Sequence, residues 1–153
     1  MFHEMRRIDR KLTNTEAERL LLTGEYGILA TVGENGYPYG IPLSYAYENG
    51  TIYFHSAKDV GHKHENLRYN TKACFTVIGK TEILPEQFST KYESVVAFGT
   101  VRPAVDKRKG LQLLVEKYSP DYREKGKAYI EHDIDTVGVY EITIEHITGK
   151  GRR

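Results

Sequence analysis

The sequence has little of what marks several large classes of protein. Its 153 residues include one cysteine, two methionines, five prolines and no tryptophan. A single cysteine, Cys74, cannot form an internal disulfide, which excludes a disulfide-stapled scaffold and fits a reducing compartment. No apolar run is long enough for a membrane-spanning helix, and none follows the charged residues 1–11 as a signal peptide would require. We therefore expect a cytoplasmic protein.

An excess of charge of one sign is also missing. The chain carries 22 basic and 21 acidic residues, a formal net charge of +1. No overall field would attract nucleic acid or a membrane surface, so any anion-binding site must be local. Hydrophobic residues (39%) and charged residues (28%) occur in proportions typical of a globular protein. We expect residues 1–153 to form a single domain.

Local patterns predict a mainly β protein. Thr13 and Glu16 have capping-box spacing at the start of a first helix, which Gly24 ends. Two Asn-Gly turns then separate apolar runs at 26–32, 37–47 and 51–55, which predicts a three-stranded antiparallel meander. Further strands are predicted at 72–84, 92–105 and 136–147, and helices at 62–69, 107–118 and 125–132. Six mostly antiparallel strands with flanking helices indicate a barrel.

The second predicted strand has two different faces. Because side chains alternate along a strand, its large residues share one face and its small residues share the other. The small ones are Pro38, Gly40, Pro42, Ser44 and Ala46. The prolines also lack amides for a neighbouring strand, so something flat could approach the main chain here. The alternative is an edge strand protected by prolines against aggregation.

The start of the predicted helix 62–69 carries unfavourable charges. Helix N-termini favour anions, yet Lys58, His62, Lys63 and His64 surround this one, against a single acidic residue, Asp59, which is a possible cap. A bound phosphate would reverse this cost, because it would meet free amides, cationic side chains and the Ser56 hydroxyl together. The alternative is a solvated basic turn.

Other side chains favour simpler interpretations. His55, His62 and His64 could be zinc ligands in principle, but residues two apart on a helix face different ways, so we expect no metal site.

The chain has twelve tyrosines. We ascribe four of them to packing or to the surface, with a place near a ligand cleft as the alternative; they are Tyr92, Tyr118, Tyr122 and Tyr129.

Several of these segments together resemble the nitroimidazole-resistance branch of the pyridoxamine 5'-phosphate oxidase-like split barrels. The similar segments run from Tyr26 to Thr31, Gly36 to Ser44, Tyr53 to Ala57 and Gly61 to Lys63. Residues 6–10 and 98–101 are also similar. The resemblance covers most of the chain and weakens after about residue 105. It implies a six-stranded Greek-key-like FMN-binding split β-barrel that forms a homodimer, with FMN between the subunits.

The resemblance also implies a set of site residues. Lys63, His62 and Ser56 would hold the phosphate, with Ala57 beside them. Backbone of the strand end would face the flavin ring, at Pro42, Leu43 and Ser44. His55 would lie close to the cofactor as a candidate proton donor, because imidazole titrates near neutrality. Arg102 is the candidate contact from the partner subunit.

The function implied is an FMN-dependent oxidoreductase. It would take electrons from NADH or NADPH and reduce a small electron-poor compound, such as a nitro-aromatic. The flavin would carry the chemistry, which agrees with the absence of a triad, a carboxylate pair or a glycine-rich nucleotide loop. The alternatives are a non-catalytic flavin-binding or sensing module, and a split barrel that binds haem or a deazaflavin.

Overall fold

The computed structural model describes residues 1–153, and antiparallel β-structure dominates it. The chain forms eight strands and four α-helices, with short 3₁₀ turns at residues 8–10, 85–87 and 120–122. The helices are α1 Asn14–Thr23, α2 His62–Tyr69, α3 Lys107–Tyr118 and α4 Arg123–Asp133. The strands are β1 Gly27–Val32, β2 Pro38–Leu43, β3 Ala46–Glu48, β4 Thr51–Ala57, β5 Lys72–Ile78, β6 Glu82–Leu84, β7 Ser89–Pro103 and β8 Val137–Arg152.

The strands form one curved sheet that does not close. Their hydrogen-bonded order is β2-β1-β5-β7-β8-β4-β3, and β6 pairs with β7 outside this path. Strands β2 and β3 are consecutive in the chain but lie at opposite ends of the order. Residues 44–45 therefore connect the two edge strands covalently, although β2 and β3 form no hydrogen-bonded pair. The predicted mainly antiparallel barrel is confirmed in this split form.

The prediction of six strands was wrong, because two of the predicted strands are broken. The segment 72–84 divides into β5 and β6. The segment 37–47 divides at Ser44 and Tyr45, so β2 pairs with β1 while β3 pairs with β4, and no three-stranded meander forms. The cause is long-range: the Tyr45 amide donates to the Tyr118 hydroxyl, and the Tyr45 carbonyl accepts from Lys117. Side chains of α3 thus satisfy the backbone groups that a continuous ladder would use.

Helix α1 packs across one end of the barrel. The predicted capping box is present: the Thr13 hydroxyl accepts from the Glu16 amide, and the Glu16 carboxylate accepts from the Thr13 amide. Gly24 ends the helix as predicted. The buried face of α1 joins the main core, where the fully buried side chains include Tyr45, Phe54 and Phe75.

Helix α2 covers the opposite end, where β1, β4 and β7 end and β5 and β8 begin. The amide group of Asn66 donates to the Thr31 hydroxyl in a buried bond of 3.1 Å. The prediction that Asp59 caps this helix was wrong, since Gly61 is the N-cap and no side chain caps the helix. Asp59 instead adopts a left-handed backbone (φ 53°), and its carboxylate accepts from the Tyr140 hydroxyl.

Helices α3 and α4 lie outside the barrel against β4 and β8. They bury a second, smaller core cluster formed by Leu111, Ile130 and Val139. Helix α3 ends at Tyr118, as the predicted range 107–118 requires, and Ser119 and Pro120 follow it. No helix of the structure combines the length and the apolar composition needed to cross a bilayer.

Candidate functional site

At the start of α2, several polar groups have no hydrogen-bond or ion-pair partner within the protein. The amides of His62 and Lys63 begin the helix and donate to no acceptor of the chain. The preceding residue, Gly61, has a φ of 98°, a conformation that favours glycine, and it leaves this end open. Unpaired amides at a helix N-terminus form a natural anion-binding position.

Lys63 adds a cation to this cluster without a counter-charge. Its side chain is half-buried, and burial lowers the pKa of the ammonium group. It takes part in none of the ion pairs of the chain. A partly desolvated ammonium with no partner is unfavourable, and a bound anion would relieve that cost.

Ser56 connects β4 to the same helix through a residue outside the predicted set. Its Oγ atom lies 2.9 Å from Nε2 of His64, and it also donates to the carbonyl of Ala57, the exposed last residue of the strand. His64 is buried, with its ring centroid 4.8 Å from that of Tyr140. Burial is the largest cause lowering the pKa of His64, which favours a neutral ring at pH 7. His64 therefore fixes Ser56 rather than facing an anion.

The small-residue face of β2 is part of the outer surface of the sheet. Pro42 lies opposite Ile28, and Gly40 lies opposite Ala30, so the small residues and these two side chains share one face. Pro42 and Ser44 are exposed, whereas Leu43 points inward and packs on the main core. The predicted alternation of faces is confirmed within β2, and it leaves a flat, mostly apolar strip beside the break at residues 44–45.

His55 faces away from Ser56, because neighbours along a strand point to opposite sides of the sheet. Its ring lies in a cavity of about 450 Å³ between β4 and the α3–α4 pair, which Ser44 also lines. The cavity is open to solvent and His55 remains exposed on one side, while its partial burial against the apolar walls lowers its pKa. Tyr118, Tyr122 and Tyr129, for which packing or the surface was expected and a place near a cleft was the alternative, all line this cavity.

Arg102 lies at the α2 end of the barrel on β7. Its Nε atom donates to the carboxylate of Glu141, which is buried on β8, while the Arg102 side chain is 58% exposed. The remaining guanidinium nitrogens contact no other acceptor of the chain. A neighbouring cavity of about 400 Å³ brings Arg102 together with Asp59, His64 and Arg68. The structure thus places Arg102 near the start of α2 but apart from His55 and Ser44.

Comparisons with known proteins point to one family for this chain. The family model for pyridoxamine 5'-phosphate oxidase matches residues 13–151. A candidate 5-nitroimidazole antibiotic resistance protein from Bacteroides thetaiotaomicron is 25% identical, with a TM-score of 0.75 over 92% of this chain and 86% of that one. No curated protein matches the chain.

Two further solved structures share the fold at lower identity. An FAD-binding protein from Mesorhizobium loti is 24% identical, with a TM-score of 0.64 over 94% of this chain and 98% of that one. An FAD- and haem-binding protein from Mycobacterium smegmatis is 18% identical, with a TM-score of 0.79 over 94% and 74% of the two chains. The family match, the split barrel and the nitroimidazole-resistance relative agree: this chain belongs to the pyridoxamine 5'-phosphate oxidase family.

Proposed function

We propose that the protein binds FMN and acts as an oxidoreductase that reduces small electron-poor compounds. The observation that carries this proposal is the start of α2, where two free amides and the uncompensated Lys63 ammonium converge. A phosphate monoester supplies the acceptor oxygens and the negative charge that this position lacks. His62 would add a second donor from the same turn.

The ring of the flavin would lie along the outer strip of β2. Residues Pro42, Leu43 and Ser44 offer main chain there, and the small side chains of this face leave room for a flat tricyclic group. The contact between Tyr39 and His62, with ring centroids 3.9 Å apart, holds β2 beside the start of α2, although the Tyr39 ring lies on the other face of the strand from the strip. The two ends of one cofactor could thus contact the two segments together.

A homodimer would complete the site. The outer face continues from β2 through β1, β5 and β7, and it exposes Val32, Ile78 and Phe98 by 37–52%. Exposed apolar patches of this extent on soluble proteins mark interaction surfaces. Phe2 covers only the Phe98 end of the face. In the dimer, the free guanidinium nitrogens of Arg102 would donate hydrogen bonds to the flavin of the partner subunit.

When bound, a flavin would supply the redox chemistry, which is two-electron transfer from NADH or NADPH to the acceptor compound. The chain holds and shields the reacting groups. Partial burial of His55 in the 450 Å³ cavity lowers its pKa, which favours a neutral imidazole at pH 7. The protonated fraction of His55, which grows as the pH falls, can then deliver a proton to an acceptor compound.

The test begins with the purified protein and its absorption spectrum. FMN predicts a yellow protein with flavin bands, released as the mononucleotide on denaturation. Release of FAD, the ligand of the M. loti relative, or of haem would identify that group as the cofactor in place of FMN. Rapid mixing with NADH and with NADPH then separates an enzyme from a carrier, and a flavin band that neither donor bleaches would contradict the oxidoreductase proposal.

A further inference from the structure

Lys117 is a cation on α3 that no carboxylate neutralises. Its side chain is half-buried, and it takes part in none of the ion pairs of the chain. The neighbouring acidic residue, Glu116, is bonded to Arg123 of α4 instead. A half-buried ammonium group without a counter-charge is costly, so ion pairing does not account for the position of Lys117.

Neutral groups hold the Lys117 ammonium group in place. Its Nζ atom donates to the carbonyl oxygen of Tyr45 at 2.9 Å. The same nitrogen lies 3.6 Å from the centroid of the Tyr45 ring and 5.0 Å from the centroid of the Tyr118 ring. Cations are attracted to the faces of aromatic rings within about 6 Å, and more strongly where water is removed. Two of these three contacts are with Tyr45, in the link between β2 and β3.

Every polar group of Tyr45 is bonded to a distant part of the chain. Its amide donates to the Tyr118 hydroxyl at 3.0 Å, and its own hydroxyl donates to the carbonyl of Leu21 at 2.5 Å. The ring is fully buried in the main core. Lys117 supplies the remaining contact, at the carbonyl, and it is the one contact of the four groups whose strength depends on a charge.

Ser44 connects this anchored residue to the proposed flavin strip. It directly precedes Tyr45, it is exposed, and its main chain is one of the proposed contacts of the flavin ring. A planar peptide group lies on each side of the Tyr45 Cα atom. The bond from the Tyr45 amide orients one of them and the bond from Lys117 orients the other, which limits how far Ser44 can shift relative to the barrel.

We propose that Lys117 is a positioning residue for the flavin: its ammonium group holds the link between β2 and β3 so that the main chain at Ser44 faces the ring. The inference rests on the proposed function, because the flavin contact of Ser44 belongs to that proposal. The charged ammonium holds the Tyr45 carbonyl more strongly than a neutral amine, since charge-assisted bonds are about twice as strong and only a cation is attracted to ring faces. FMN should therefore bind best while Lys117 is protonated.

The first test is the pH profile of FMN binding to the wild-type protein. Burial lowers the pKa of Lys117 to about 8, so its charge is present below pH 8 and is lost as the pH rises through that value. The titratable groups beside it are the phenols of Tyr45 and Tyr118, and burial raises the pKa of Tyr45, which keeps that ring neutral. FMN affinity should fall about fivefold between pH 7 and pH 9.5. By linkage, FMN should raise the pKa of Lys117 by about 0.7, measured by NMR of the lysine side chain.

Two variants and a matched control test the role of the charge. Lys117→Met keeps the apolar stem but removes the donor and the charge, and it should lower FMN affinity at pH 7 at least about tenfold. Lys117→Arg stays charged at pH 9.5, so it should lose the fivefold alkaline decrease. Lys63, whose pKa burial also lowers, titrates in all of these proteins, and comparison with wild type therefore isolates Lys117. Lys127→Met, at an exposed lysine of α4, should bind FMN as wild type does.

The outcomes separate this inference from the proposed function. If wild type binds FMN and Lys117→Met binds it as tightly as Lys127→Met, the positioning role fails alone. A pKa of Lys117 that FMN leaves unchanged would overturn the role in the same way, and this measurement on wild type decides if Lys117→Met does not fold. A wild-type protein that takes up no FMN at any pH would overturn the proposed function and the role of Lys117 together.

Discussion

The ring of Tyr39 on β2 stacks on the ring of His62 at the start of α2, with their centroids 3.9 Å apart. This contact joins the two segments that the sequence singled out for separate reasons. Tyr39 belongs to the strand with a small-residue face, and His62 belongs to the helix start with unfavourable charges. Tyr39 lies on the large-residue face of β2, so the contact holds this strand beside the start of α2, while the small-residue strip lies on the other face of the strand.

The first prediction concerns the phosphate position. Replacing Lys63 and His62 together by alanine removes two charge-assisted donors, each of which contributes about 1.5–3 kcal/mol. FMN affinity is expected to fall at least about tenfold, measured by fluorescence titration of the flavin-free protein. Lys58→Ala is the matched control, because Lys58 is an exposed lysine in the same loop. Equal affinity in the double variant and the control would remove the phosphate assignment.

The second prediction concerns His55 as a proton donor. Burial lowers its pKa below the ordinary value of 6.5, so the protonated form increases only as the pH falls below that value. Reoxidation of the reduced flavin by a nitro-aromatic should therefore accelerate toward pH 5. His55→Gln should lose this acid limb and, at pH 5, about a hundredfold in rate, as is typical when an acid catalyst is removed. Stopped-flow measurements across pH 5–8 check this, and an unchanged profile in the variant would exclude the role.

The third prediction concerns stability and the buried ring of His64. Its pKa in the folded state lies below the unfolded value, so the unfolded chain binds more protons below about pH 6.5. Acid should then destabilise the protein. In His64→Gln, the drop in thermal unfolding midpoint between pH 7.5 and pH 5 should be smaller than in wild type. The exposed His3→Gln should retain the full drop, and an equal drop in all three proteins would contradict the assignment.

Local patterns predicted the parts of the fold that depend on neighbours in sequence. The capping box at Thr13 and Glu16, the ends of α3 and the alternation within β2 all result from contacts a few residues apart. The helix 62–69 was predicted with its exact bounds, although its cap was not. Gly61 takes the place expected for Asp59, because Tyr140 holds the Asp59 carboxylate from a distant strand.

What the sequence could not show are the contacts between distant segments. The pairing of Ser56 with His64 depends on how β4 and α2 meet at the end of the barrel. The cavity walls come from α3 and α4, in the part of the chain where the family resemblance is weakest. Tyr118 and Tyr122 flank the end of α3 at Ser119 and Pro120, so no helical spacing relates them, and their closeness in sequence was the available signal for a shared surface. A tyrosine pair of this kind equally indicates ordinary packing.

The fourth prediction follows from the break between β2 and β3. The Tyr118 hydroxyl accepts from the Tyr45 amide at 3.0 Å and donates to the carbonyl of Glu25 at 2.6 Å. Tyr118→Phe leaves the part-buried Tyr45 amide without its acceptor, which should cost about 1–3 kcal/mol of unfolding free energy. Denaturant unfolding measures this loss. Tyr122→Phe is the matched control on the same cavity, and a loss no larger than in that control would show that the bond does not stabilise the break.

The fifth prediction concerns the outer face of the sheet as a dimer surface. A stable interface buries about 800 Å² on each partner, and β2, β1, β5 and β7 offer an extended outer face for it. Val96 lies on this face in β7, opposite Thr76. Val96→Lys would put a buried, unpaired charge into the symmetric contact and should convert the dimer to a monomer in sedimentation experiments. It should also release FMN if the partner completes the site.

Leu22→Lys, at an exposed apolar position on α1, should remain dimeric and flavin-loaded. A dimer that survives Val96→Lys would place the interface elsewhere on the molecule, and Arg102 would then lose its proposed role toward the partner's flavin.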